Sequence, residues 1–302
     1  MKIRFFNHWH TGDVFHAKGY LQDLKRQLPT AEFWYAHPNH AKIMQDAASF
    51  QHISQLPELV QNQKFAFGEY IDINTWIGAY GWEVMPRGED HANWPSIHRM
   101  FINIYGVLEQ HGCPVKLDPF NPLAYVPTTD FSKYEIARGN QFLDKTEGQQ
   151  RMLICNGLVR SKQSQLGDLS VCIETLAKEF PERVFICTSK FESTLPNIHF
   201  TDDIFGITND VNEIVYLSTH SDIIVGKNSG PYMYTHIQDN FFSPETTFVS
   251  LSHRPSDAYP CHLQWEGCRY LHHSSDDEQR ITDILREAIK NPGQSPGQME
   301  VV

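Results

Sequence analysis

The sequence predicts an α/β protein built from two doubly wound, Rossmann-like lobes. Three observations carry that prediction. The chain has 302 residues, more than one compact α/β domain usually needs, so two cores are expected. Short apolar runs of strand length alternate with segments of helical periodicity, the rhythm of a parallel sheet flanked by helices. That rhythm lapses over residues 127–150, which are rich in Thr, Lys, Glu, Gly and Gln, and then restarts.

Residues 2–6 (KIRFF) read as a buried strand, followed by a polar turn containing Gly12. Val14, Ala17, Leu21, Leu24 and Leu28 then keep the spacing of one helix face. EFWYA is a strand, residues 39–49 a helix, FGEYIDINTW a strand, and SIHRMFINIYGVLEQHG a helix ending at Gly112. In the second half RMLICNG, RVFICTS, DIIVGKN and TTFVSLS read as strands. DLSVCIETLAKEFP, DVNEIVYLSTHS and GPYMYTHIQ read as the helices between them. Asp210 and Glu213 form a capping-box pattern. The expected organisation is a first lobe over 1–130, a connection over 131–150, a second lobe over 151–275, a terminal amphipathic helix over 276–291, and a frayed tail over 292–302.

Composition excludes several classes. Hydrophobic residues make up 40% of the chain and charged residues 20%, which is globular rather than disordered. A formal net charge of −11 argues against broad capture of nucleic acid, whose phosphates are bound mainly by Lys and Arg. The six cysteines include no Cys-x-x-Cys and are expected reduced. No stretch approaches the roughly 18 apolar residues of a membrane helix, and the start turns polar too early for a signal peptide. A cytoplasmic protein is expected, with room for peripheral contact at a membrane's inner face.

Ligands in doubly wound sheets bind where strands hand over to helices, so three loops deserve scrutiny. Asn7-His8-Trp9-His10-Thr11-Gly12-Asp13 runs straight into a helix. There Gly12 permits a tight turn, and Asp13 meets the positive end of the helix dipole. Asp13 is either a helix cap or a catalytic carboxylate. His8 and His10 have metal-ligand spacing, but packing beside Trp9 is the simpler account, and no metal is expected. Gly157 to Ser164 places Arg160 and Lys162 after a strand, suited to a diphosphate or simply solvated. Gly226-Lys227-Asn228-Ser229-Gly230-Pro231 joins a strand to a helix, and Pro231 fits a first helical position. Free amides near Ser229 and Gly230 would hold an anion, although an ordinary turn explains the glycines equally well. No Walker or G-x-G-x-x-G pattern is present.

The stretches Gly12-Asp13-Val14-Phe15-His16 and Asp222 to Pro231 resemble those of glycosyltransferase family nine, the ADP-heptose:lipopolysaccharide heptosyltransferase family, and its wider GT-B relatives. The order of elements over 151–250 resembles theirs as well. The resemblance implies two Rossmann-like lobes facing a cleft, and an inverting, metal-independent sugar transfer without a cofactor. Asp13 would be the general base. Arg160 or Lys162 would neutralise the leaving diphosphate, with Asn228, Ser229 and Gly230 holding its phosphates. The family usually carries Asp where this chain has Asn228, and often a His near Met233, where this chain's next is His236. Those departures leave the donor sugar and its nucleotide unassigned.

The first lobe is expected to take a glycan acceptor, such as a surface polysaccharide or lipopolysaccharide. Alternation points Asp72, Asn74 and Trp76 to one side of a strand end, where either Trp76 stacks on a sugar while Asp72 or Asn74 bonds its hydroxyls, or the aromatic ring simply packs under a loop. His10 and Gly12 belong to the same region as acceptor contacts or loop support. Two readings compete with transfer. A nucleotide-sugar epimerase on the same fold would draw acid and base groups from His8, His10, Asp13 and His253. A non-catalytic nucleotide or sugar binder would have lost its chemistry at Asn228 and Met233.

Overall fold

The computed structural model describes residues 1–8, 11–37, 41–47, 50–53, 57, 62–81, 95–157, 167–206, 211–227, 230–252, 255, 258, 260, 263–274, 276–293 and 297–302. The chain divides into two compact units, Met1–Tyr134 and Glu135–Val302. Residues 131–150, read as a connection from their lost periodicity, instead hold a 3-10 turn at Phe131–Lys133 and the helix α3 (Ala137–Lys145). A narrow apolar face explains this helix: Gly139 lies against Phe205 and Tyr216, and Phe142 joins a cluster with Leu153, Val184, Ile186 and Leu217.

In the first unit the strands are β1 (Lys2–Phe6), β2 (Glu32–Ala36), β3 (Phe50–Ile53), β4 (Phe65–Phe67) and β5 (Ile71–Asn74). Their order in the sheet is β3-β2-β1-β5-β4, parallel except for the antiparallel pair β4 and β5. The sequence reading merged β4 and β5 into one strand; Gly68 to Tyr70 fold the segment back on itself. Helix α1 (Thr11–Gln27) buries Val14, Ala17, Leu21 and Leu24 as their spacing requires. It starts at Thr11, so Gly12 has helical backbone rather than lying in a turn. Between residues 39 and 49 the described helix is a 3-10 turn, Ala41–Met44. Helix α2 (Ser96–Gln110) packs on α1, with Tyr20 stacked on Phe101 and Tyr125.

The second unit is a seven-stranded sheet flanked by helices. Its strands are β6 (Arg151–Cys155), β7 (Val184–Cys187), β8 (Ile198–Phe200), β9 (Ile223–Lys227), β10 (Thr247–Leu251), β11 (Arg269–His273) and β12 (Glu300–Val301). The order is β12-β11-β10-β9-β6-β7-β8. Helices α4 (Ser170–Glu179), α5 (Thr201–Phe205), α6 (Val211–Ser218), α7 (Gly230–Tyr234), α8 (Gln238–Phe241) and α9 (Glu278–Lys290) complete it. Asp277 caps α9 by accepting the Arg280 amide hydrogen at 2.9 Å. The capping residue expected for α6, Asp210, lies outside the described residues.

The expected frayed tail is corrected in part. Glu300 and Val301 add β12 to the edge of the sheet beside β11, and Glu300 pairs with Arg269 at 2.8 Å. An otherwise open strand edge takes up the last residues of the chain because its unpaired amides and carbonyls offer them partners. Five described cysteines (Cys113, Cys155, Cys172, Cys187 and Cys268) are free and buried. Among the described residues no helix is long and apolar enough to cross a membrane.

Candidate active site

Each sheet has one topological switch point, where connections turn to opposite sides of a central strand and open a crevice at the carboxyl ends. In the first unit the crevice lies between β1 and β5. Their register pairs Arg4 with Asp72 and Phe6 with Asn74, so the loops after Phe6 and Asn74 leave side by side. Asp13, in the first turn of α1, meets the second of these loops: its Oδ2 accepts the Ile77 backbone N–H at 3.2 Å.

That bond is not a helix cap. A helix cap accepts from amides of its own helix, whereas this carboxylate accepts from a separate segment. Burial pushes its pKa from 3.8 to about 7, and the Ile77 amide offsets only part of the rise. Desolvation therefore outweighs the hydrogen bond, leaving an acid poised near neutrality. Around it, Thr75 donates from its amide to the Phe6 carbonyl at 2.8 Å and pairs its hydroxyl with Tyr35 at 2.8 Å. Asn7 donates its side-chain amide to the Thr75 carbonyl at 3.3 Å. The loop that holds Ile77 is thus tied to β1 and β2.

The three residues expected to bind an acceptor are placed differently from one another. Asp72 takes a bidentate ion pair from Arg4 at 2.5 and 2.9 Å, and Arg4 also lies 4.7 Å from the Tyr70 ring centre. Asn74 supports its own loop: its Oδ1 accepts the Trp76 amide at 3.0 Å and its Nδ2 donates to the Gln63 carbonyl at 3.1 Å. Trp76 is half-buried and lies beyond the strand, with its indole over Gly78, where a Cβ would come within 2.3 Å of the ring. His8 packs edge-on to Phe6, and burial lowers its pKa. His10 lies outside the described residues. Among those described, no group of three or more His, Cys, Asp or Glu is arranged to hold a metal ion.

In the second unit the switch point lies between β6 and β9, whose ends lead into the loops expected to meet a diphosphate. Arg160, Lys162, Asn228 and Ser229 lie outside the described residues. Gly230 opens α7, which is only five residues long rather than the longer helix expected over GPYMYTHIQ. Gly226 has a packing reason to be glycine, since a Cβ there would sit 2.4 Å from the Tyr232 ring. His236 is buried, with Nε2 3.0 Å from the Tyr270 hydroxyl and Nδ1 3.1 Å from the Tyr232 carbonyl, where the ring nitrogen must be the donor.

Among the described residues a cation does stand at this switch point: Lys227, the last residue of β9, which sequence reasoning passed over. It is 2% exposed and donates to the Gly167 carbonyl at 2.6 Å. Burial lowers its pKa, and the nearby Asp168 opposes that shift. The available signal was a Lys ending an otherwise apolar central strand, a position that seldom holds a charge without a partner. Asn156, closing β6, exchanges two 2.9 Å hydrogen bonds with the backbone of Ser189 and fixes the start of the neighbouring loop.

No protein-family model matches the sequence, and no curated protein matches it. Solved structures do match along nearly the whole chain. The Escherichia coli ADP-heptose lipopolysaccharide heptosyltransferase II is 12% identical, with 96% of this chain and 99% of that chain covered at a TM-score of 0.55. A glycosyl transferase of family 9 from Veillonella parvula is also 12% identical, with 94% and 90% covered and a TM-score of 0.55. A UDP-GlcNAc 2-epimerase from Neisseria meningitidis is 12% identical over 96% and 92%, at a TM-score of 0.48. The fold expected from the sequence is therefore the one observed: two Rossmann-like units in one chain, as in the GT-B glycosyltransferases.

Proposed function

We propose that this chain is an inverting, metal-independent glycosyltransferase that moves a sugar from a nucleoside-diphosphate donor to a hydroxyl of a glycan acceptor. The acceptor class is a surface polysaccharide or a lipopolysaccharide-like glycan. Fold alone does not fix function, so the reading rests on the site. The observation that carries it is Asp13, a desolvated carboxyl group at the β1/β5 switch point with its pKa raised to about 7. A general base works best when its pKa lies near the working pH.

In this reading Asp13 removes the acceptor hydroxyl proton as the oxygen attacks the anomeric carbon. A new glycosidic C–O bond forms while the bond from that carbon to the diphosphate oxygen breaks. Attack from the face opposite the leaving group inverts the configuration. Charge builds on the departing diphosphate, and Lys227, with Arg160 or Lys162, is assigned to neutralise it. Asn228, Ser229 and Gly230 are assigned to its phosphate oxygens. Two of the matching structures are named as a heptosyltransferase and a family 9 glycosyl transferase, which supports a nucleotide-sugar donor. A lipid-linked acceptor would bring the enzyme to a membrane surface as a peripheral visitor.

The test is thermal unfolding of wild type, Asp13→Asn and Lys227→Met against nucleoside diphosphates and nucleotide sugars, with and without a chelator, followed by product analysis. A ligand at 100 times its Kd should add about 2.7 kcal/mol of stability. The proposal expects a chelator-insensitive shift from one diphosphate that Asp13→Asn keeps, and transfer that Asp13→Asn loses. A product formed from the donor alone would instead identify an epimerase. Failure of every nucleotide to shift unfolding would remove the reading's support.

A further inference from the structure

Tyr35 stands opposite Phe5 in the register of β2 with β1, and Phe5 stands opposite Ile73 of β5. Phe33, two residues before Tyr35, lies under the ammonium group of Lys25 in α1 at 5.2 Å, so alternation puts Tyr35 on the face that α1 covers. The side chain is buried, and its hydroxyl reaches across β1 to Thr75 Oγ1 at 2.8 Å, just past the end of β5. In this way β2 holds a loop that leaves a strand with which it shares no backbone pairing.

The direction of that bond follows from its neighbours. Thr75 gives its hydroxyl proton to the Phe6 carbonyl at 3.2 Å, so Tyr35 donates and Thr75 Oγ1 accepts. Burial raises the Tyr35 pKa and the charge of Asp13 adds to the rise, so the phenol keeps its proton for this bond and lies within electrostatic reach of the carboxylate. Two residues beyond Thr75, the Ile77 amide donates to Asp13 at 3.2 Å. Thr75 is tied to Phe6 and Asn7 through its own backbone, and the Tyr35 hydroxyl ties it from outside the β1/β5 pair. The ionisable groups on the elements that meet here are Arg4 of β1, paired with Asp72 of β5; His8, whose neutral form burial favours; Tyr80, which donates to the Asn74 carbonyl at 2.9 Å; and, along α1, His16 and the Lys18 that pairs with Asp46.

We propose that Tyr35 is a positioning residue for Asp13: through Thr75 it holds the Ile77 amide against the carboxylate. Removing the phenol hydroxyl leaves a buried acceptor on Thr75 without its donor, and the loop that carries Ile77 shifts to relieve it. The consequence for catalysis rests on the glycosyltransferase reading, whereas the tether itself does not.

Isotope-labelled protein, free of nucleotide and sugar, tests the tether through the Ile77 amide proton, whose NMR signal follows the ionisation of the carboxylate that accepts it. In the wild type that signal should titrate near pH 7. In Tyr35→Phe the midpoint should rise by about one pH unit, because a loosened bond to the carboxylate favours its ionised form less. Thr75→Val removes the acceptor of the same bond and should move the midpoint as far, with the double variant moving no further than either single one. Thr75→Ser should keep the wild-type midpoint. In transfer assays the pH profile of kcat for Tyr35→Phe should follow the displaced midpoint, while KM for the donor stays unchanged. An Ile77 midpoint that stays at the wild-type value in both Tyr35→Phe and Thr75→Val overturns the proposal, and so do shifts that simply add in the double variant. Absence of transfer by a protein whose Ile77 signal behaves as expected would count against the glycosyltransferase reading alone. An unmoved midpoint in an active enzyme would count against the tether alone.

Discussion

The Asp13 carboxylate accepts the Ile77 backbone N–H at 3.2 Å, joining the first turn of α1 to the loop that follows β5. Asp13 and Ile77 are 64 residues apart, so only the packing of β1 against β5 makes them neighbours.

Replacing Asp13 by Asn keeps the size and the hydrogen-bond acceptor but removes the base. Transfer should fall by about 10²–10⁴-fold, with nucleotide binding unchanged in calorimetry. In the wild type, kcat/KM should rise with pH up to about 7 as Asp13 ionises and level off above it. Stability runs the other way. Since the folded pKa is raised from 3.8, the folded state holds the proton more tightly, and stability falls as pH rises through about 7. Asp13→Asn should therefore melt higher than wild type at pH 8, with the gain gone near pH 4.

Lys227→Met should weaken nucleoside diphosphate binding by about tenfold to a hundredfold, the loss expected for one charge-assisted hydrogen bond. The Asp13 variant supplies the control, because its donor affinity should not move. Equal diphosphate affinity in wild type and Lys227→Met, read by calorimetry, would show that Lys227 only holds the Gly167 carbonyl.

His272 is fully buried in β11, both ring nitrogens lack a hydrogen-bond partner among the described residues, and burial drives its pKa down from 6.5 to about 4. The depressed pKa means that its neutral form contributes fully above pH 6.5, and stability is lost as pH falls from there toward about 4. In urea unfolding, His272→Leu should flatten the pH dependence of stability across that window.

Lys18 and Asp46 form an ion pair with side chains 0% and 2% exposed, tied further to Thr129, Asp130 and Tyr134. Asp46→Ala strands a buried ammonium group and should cost about 3–5 kcal/mol in chemical denaturation. The double variant Lys18→Met with Asp46→Leu should recover much of that loss, because neither charge remains.

Periodicity alone made the buried faces of α1 and the central strands legible, and it placed Gly12-Asp13 where a strand hands over to a helix. It did not reveal that Asp72 faces Arg4, since that pairing comes from β1 and β5 lying side by side. It left Lys227 unremarked, because nothing local tells a solvated lysine from one enclosed at a strand end. It also read Glu300 and Val301 as a loose tail, because the edge they complete belongs to β11, some 30 residues earlier.

The sequence by itself determined the two-lobed α/β plan, since helical and strand periods are local properties of the chain and a parallel sheet needs only their alternation. Tertiary structure decided which carboxylate is desolvated enough to titrate near neutrality, which acid is spent on an ion pair, and which tyrosine reaches Thr75. Those outcomes depend on which distant segments are brought together, since desolvation and charge pairing act across space rather than along the chain.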